Sequence, residues 1–61
     1  MLTIGERIKA AREAKGWTQA ELAAKMDYCE ETISNLERGV YKPTSRALMM
    51  FERVLKVRLV K

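Results

Sequence analysis

Apolar residues recur along this chain at helical spacing. Ile4, Ile8 and Ala11 form a first set, Leu22, Ala23 and Met26 a second, Ile33 and Leu36 a third, and Ala47, Leu48, Phe51 and Leu55 a fourth. Side chains three and four positions apart share one face of a helix, so each set predicts an amphipathic helix with one stripe turned inward. Between the sets stand residues that start and stop helices. Thr3-x-x-Glu6 and Thr18-x-x-Glu21 are capping boxes, in which threonine and glutamate take up N–H groups that a helix start leaves without partners. Gly16 and Gly39 suit the left-handed residue that closes a helix. Asp27-Tyr28-Cys29 predicts a turn, because Asp tolerates unusual backbone angles better than most residues. Pro43 cannot continue a helix from before it, and Thr44 is an N-cap for the fourth helix. The helices are thus expected over about 4–15, 19–26, 30–37 and 45–56. Val57-Arg58-Leu59-Val60 alternates and is rich in β-branched residues, which admits a short C-terminal strand.

The predicted fold class is all-α, a small four-helix bundle forming one domain over 1–61. Two short helices separated by about three residues make the pattern of a helix-turn-helix over 19–37. In that arrangement one helix lies across a nucleic-acid backbone and the next places its outward residues in the major groove. On the third helix the positions not taken by Ile33 and Leu36 include Glu30, Glu31, Thr32, Ser34 and Asn35, all able to form hydrogen bonds.

A chain of 61 residues has room for one small core. Such a core buries roughly 60% of the unfolded surface and supplies about 3–5 kcal/mol. Cys29 is the only cysteine and there is no histidine, so a disulfide within the chain is excluded and no metal or cofactor is expected. No apolar run approaches the ~20 residues of a membrane span, and residues 1–6 lack the apolar centre of a signal peptide. A cytoplasmic, reduced setting is therefore expected, with Cys29 an unreactive thiol. No activated nucleophile pattern and no phosphate-cradling glycine loop are present, so a binding domain is expected rather than an enzyme.

Net charge is +4, which suits a polyanionic partner. Its distribution changes that picture. Residues 1–44 hold seven Lys/Arg against seven Asp/Glu. The excess lies in 45–61, where Arg46, Arg53, Lys56, Arg58 and Lys61 face only Glu52. Around the third helix, residues 27–44 set Arg38 and Lys42 against Asp27, Glu30, Glu31 and Glu37. Positive charge therefore does not single out the third helix.

Arg7-Ile8, Arg12, Lys15-Gly16-Trp17-Thr18-Gln19, Glu21-Leu22-Ala23, Ile33-Ser34-Asn35-Leu36-Glu37-Arg38-Gly39 and Pro43 together resemble the Cro/C1-type (Xre) helix-turn-helix repressors, over about residues 4–55. The resemblance implies a lambda-repressor-like fold and sequence-specific binding of double-stranded DNA by a transcriptional regulator, in the first instance a repressor. It implies Glu30, Glu31 and Asn35 as base-facing residues. Gln19, Thr32, Ser34, Arg38 and Lys42 are implied at the sugar–phosphate backbone. Arg12 and Glu37 resemble the family's buried ion pair between the first and third helices. The chemistry is compatible: Asn can pair bidentately with adenine and Glu can accept from the cytosine amino group, each giving roughly 1–3 kcal/mol of discrimination. Glu30 and Glu31 also suit a helix N-terminus through the macrodipole. Two adjacent carboxylates are repelled in a phosphate-lined groove, so low non-specific affinity is expected. Three consecutive residues depart from the family pattern. Asp27 stands where glycine is common, Tyr28 where a small aliphatic residue plugs the core, and Cys29 where Ser or Thr caps the recognition helix.

Nine of the thirteen residues in 48–60 are apolar. Met50, Val54 and Val57 form a stripe beside the core-facing one, wider than a three-helix core needs. Met50, Val54, Val57 and Leu59 are accordingly expected as a homodimer seam, unless the small core takes up the whole stripe. The alternative function is a protein-interaction module of the antitoxin or multiprotein-bridging-factor kind, whose partner is a toxin or another protein. The acidic balance of 27–44 and the apolar C-terminal stripe favour it. No small-molecule ligand is expected in either case.

Overall fold

Three of the four helices in the computed structural model start on a threonine. It describes residues 2–59. The helices are α1 (Ile4–Ala14), α2 (Gln19–Met26), α3 (Glu30–Arg38) and α4 (Ser45–Leu55). Thr3 Oγ1 accepts the Glu6 N–H at 3.1 Å while the Glu6 carboxylate accepts the Thr3 N–H at 2.9 Å. Thr18 and Glu21 repeat this exchange at 3.1 and 2.8 Å. Thr44 Oγ1 accepts the Ala47 N–H at 3.1 Å. Each bond satisfies a donor that the first helical turn cannot pair internally.

The helix ends obey the backbone angles. Asp27 takes the left-handed conformation with φ 59° and closes α2. Gly39 does the same for α3 with φ 82°, which lets that helix run to Arg38. Lys56, at φ 56°, turns left-handed as well, so α4 stops at Leu55.

Helix α3 packs on α1 and α2, and α4 packs on the same two helices. Ile8, Leu22, Met26, Ile33, Phe51 and Leu55 are fully buried between them. The start of α1 crosses the end of α3 closely. A Cβ on Gly5 would collide with the backbone oxygens of Leu36 and Glu37. Tyr28 carries the turn into the core: it is half-buried and meets Phe51 edge-on, with ring centroids 6.2 Å apart and planes at 80°. Aromatic pairs favour such edge-to-face contacts.

The tail departs from its expected form. No strand forms among the described residues, and Val60 lies outside them. A strand needs a ladder partner, and the Leu59 N–H instead donates to the Glu52 carboxylate of α4 at 2.8 Å. The Leu59 side chain is only 5% exposed and belongs to the core, while Val54 and Val57 are half-buried against it. Of the expected seam, Leu59 is thus turned inward and Met50 alone is exposed. A small core gains from each apolar side chain it takes out of water, and Leu59 supplies one. Among the described residues no helix is long and apolar enough to cross a membrane.

Candidate nucleic-acid interface

Helix α3 buries Ile33, Leu36 and Glu37. At ~100° per residue, Glu31, Asn35 and Arg38 point away from that stripe, with Ser34 beside them. Glu30 lies on the flank next to Glu37, and Thr32 on the flank next to Leu36. Glu30, Glu31 and Arg38 are exposed, whereas Thr32, Ser34 and Asn35 are half-buried. The three residues implied as base-facing therefore do not share one line: Glu31 and Asn35 are outward, and Glu30 is lateral.

What holds this face in place is Glu37. Its carboxylate accepts from Arg12 Nε at 2.7 Å and from Arg12 Nη2 at 3.2 Å. Gln19 Nε2, at the first position of α2, donates to Glu37 Oε1 at 3.1 Å. Arg12 Nη1 donates to the Trp17 carbonyl at 2.7 Å. One carboxylate thus joins α1, α2 and α3, and the guanidinium adds the loop between α1 and α2. Arg12 and Glu37 are buried, and no buried side-chain nitrogen or oxygen among the described residues lacks a partner. The hydrogen bond to Glu37 holds the Arg12 guanidinium above its ordinary pKa, against the opposing effect of burial. A planar guanidinium bound bidentately fixes direction as well as distance. It sets the rotation of α3 about its own axis, which decides where Glu31 and Asn35 point.

Gln19 is implied at a phosphate by the family resemblance, and its amide NH₂ is engaged with Glu37. The Trp17 carbonyl, the third acceptor of Arg12, is not legible in the sequence, because a backbone oxygen leaves no mark in a residue pattern. The Trp17 ring lies under two ammonium groups, Lys25 Nζ at 4.6 Å and Lys15 Nζ at 5.5 Å from its centroid. Cations over an indole face are attracted by its quadrupole.

The start of α3 is less well held. Cys29 occupies the cap position and makes no side-chain capping bond. Glu30 and Glu31 place negative charge in the first turn, where it complements the positive end of the helix dipole and partly offsets the missing cap. At the far end Arg38 is in the last turn, and the Val40 N–H donates to the Asn35 carbonyl at 2.9 Å. Lys42 lies beyond it, exposed in the loop next to half-buried Pro43. The outward surface from Glu30 to Lys42 is therefore acidic at one end and basic at the other. Such a surface can discriminate by hydrogen bonds but attracts a polyanion weakly.

A family model described as helix-turn-helix matches residues 8–61. An HTH-type transcriptional regulator of Archaeoglobus fulgidus is 42% identical over 53 residues, covering 87% of this chain and 76% of that protein. A putative multi-protein-binding factor 1 of Yarrowia lipolytica is 35% identical over 57 residues, covering 93% of this chain. This chain spans only 38% of the length of that protein. The fold matches that of SinR in complex with DNA with a TM-score of 0.83 at 34% identity, covering 93% of this chain and 92% of that one. SinR in complex with SinI matches with the same TM-score and identity, over 93% of this chain and 56% of the other. The N-terminal DNA binding domain of SinR from Bacillus subtilis matches at 0.81 and 35% identity, over 92% and 83% of the two chains.

Proposed function

This chain belongs to the helix-turn-helix family of the Cro/C1 type, and we propose that it reads double-stranded DNA sequence-specifically as a transcriptional regulator that represses. Helix α3 enters the major groove. The observation that carries this reading is the outward polar face of α3, held at a set angle by the Arg12–Glu37–Gln19 network. Asn35 and Glu31 read base edges, and Glu30 does so from the flank. Thr32, Ser34, Arg38 and Lys42 meet sugar and phosphate, and Gln19 approaches a phosphate from the start of α2. The likeness to SinR in complex with DNA supports the same use of the fold. The role is one of binding, not catalysis, in the cytoplasm.

The acidic balance around α3 favours binding by two copies. Counterion release scales with the number of phosphates neutralised, and one copy offers few cations there. Two copies on half-sites about one helical turn apart, ~34 Å, double that number. Pairing on DNA needs no extensive seam in solution, which suits a chain that draws Leu59 into its own core.

Selection from random duplex DNA at two salt concentrations tests the proposal. An enriched motif that loses affinity with Asn35→Ala by about tenfold or more, at one base position, is the expected result. No enriched motif at low salt sinks it. The second reading is a protein-interaction module, favoured by the likeness to a multi-protein-binding factor and to SinR in complex with SinI. Partner binding of that kind leaves Asn35→Ala without effect on a DNA motif.

A further inference from the structure

We propose that the outward face of α4 is a docking strip for an acidic amphipathic helix of another protein. Arg46, Met49, Met50 and Arg53 stand at i, i+3, i+4 and i+7, which makes them one continuous row on a helix. Ala47, Phe51 and Leu55 occupy the opposite, buried side. The four side chains line a shallow depression of about 340 Å³. Met49 is 58% exposed and Met50 37%, so the row presents two adjoining thioethers to solvent between its arginines.

The chemistry of the strip selects its occupant. Both ends are guanidinium groups, and neither forms an ion pair among the described residues. The one acid of α4, Glu52, is on a different side of the helix and accepts the Leu59 N–H. The strip therefore carries only positive charge and apolar surface, within the segment 45–61 that holds the whole excess charge of the chain. A two-fold contact between copies would oppose this cationic row to its own equivalent, because such interfaces are self-complementary. A phosphate backbone would answer the arginines and leave the methionines against a polar surface. Methionine is flexible and polarizable and adapts to varied apolar partners. A helix with leucine-like side chains along one face and carboxylates on either flank satisfies both features. The proposal does not depend on how α3 reads DNA, since α4 lies on α1 and α2 and presents a separate surface.

The test uses the full chain labelled at its methionine methyl groups. The probe is a synthetic helical peptide of about 18 residues, long enough to hold a helix. It carries leucine at i, i+3, i+4 and i+7 and glutamate on the flanks. A twin carries lysine in place of glutamate. The acidic peptide is expected to shift the Met49 and Met50 methyl resonances saturably and to leave Met26, buried in the core, unmoved. The lysine twin is expected to do nothing. The double variant R46E/R53E, with unchanged circular dichroism, is expected to bind the acidic peptide at least about tenfold more weakly and to gain response to the twin. Equal binding of both peptides, or no response at Met49 and Met50, overturns the proposal. So does a response to protein concentration alone, which means a second copy, or to random duplex DNA without peptide competition, which means a phosphate contact. The Asn35→Ala motif loss is a separate readout, so failure of either reading leaves the other standing.

Discussion

Helix α3 turns a carboxylate inward with Ile33 and Leu36, whereas the side chains α4 buries, Ala47, Phe51 and Leu55, are all apolar. Apolar burial is strong but non-directional, so it secures α4 against the bundle without dictating its finer rotation. A buried carboxylate that must meet Arg12 and Gln19 tolerates few orientations. A buried ion pair adds little net stability, because desolvation opposes the Coulombic gain. Its effect is geometric. The two helices also begin differently: Thr44 caps α4, while Cys29 leaves α3 uncapped. The helix with the demanding orientation thus has the weaker start, and tertiary hydrogen bonds supply what the local cap does not.

Glu37→Ala breaks this contrast most severely. It leaves Arg12 buried without its partner, which costs about 3–5 kcal/mol. That is comparable with all that a core of this size supplies. The variant is expected to be largely unfolded at 25 °C by circular dichroism. On α4 the matching exchange of one buried side chain, Leu55→Met, is expected to cost under about 1.5 kcal/mol in urea denaturation.

Gly5→Ala has the next largest effect. The added methyl meets backbone oxygens of Leu36 and Glu37, which cannot swing aside as a side chain would. The start of α1 must lift from α3, at a cost of about 1–3 kcal/mol. Amide shifts should spread from residue 5 to 36 and 37; shifts confined to α1 would show that the contact does not hold α3.

The two helix starts allow a paired comparison of opposite sign. Cys29→Ser gives α3 a capping oxygen and is expected to stabilise by about 1 kcal/mol, while Thr44→Ala removes one from α4 and destabilises by about as much. For a domain of this size each corresponds to a shift of roughly 4–8 °C in Tm. No gain from Cys29→Ser would mean that the turn at Asp27 holds position 29 too far from the free N–H groups.

The smallest effect concerns Glu6. The backbone N–H of Thr3, and then its hydroxyl, lower the Glu6 pKa below the ordinary carboxylate value. A carboxylate depressed in the folded state contributes stability that is present above its unfolded pKa. That contribution is lost as pH falls through the folded pKa. Glu6→Gln keeps an acceptor for the Thr3 N–H and removes the titration. The fall of Tm from neutral pH into the acid range should therefore be slightly shallower in the variant.

The helix starts at Thr3, Thr18 and Thr44, and the turns at Asp27 and Gly39, are legible because each rests on residues within three or four positions of one another. The Arg12–Glu37 pair is legible only through likeness to a family, since 25 residues separate its members. The candidate reading face was legible as a set of polar residues, but not as a geometry. Only the angle set by Glu37 separates outward Glu31 and Asn35 from lateral Glu30.

By itself the sequence determined four helices, their order and the polar character of α3, because capping, backbone angles and amphipathic spacing act over single turns. The tertiary structure alone decided the fate of the C-terminal tail. Alternation in 57–60 suggested a strand, and the apolar stripe suggested a seam. The core instead took Leu59, Glu52 took its N–H, and Met49 and Met50 remained outside between two arginines. Which apolar residues a small core absorbs depends on the space its packed helices leave, and that is a property of the assembled bundle rather than of any segment.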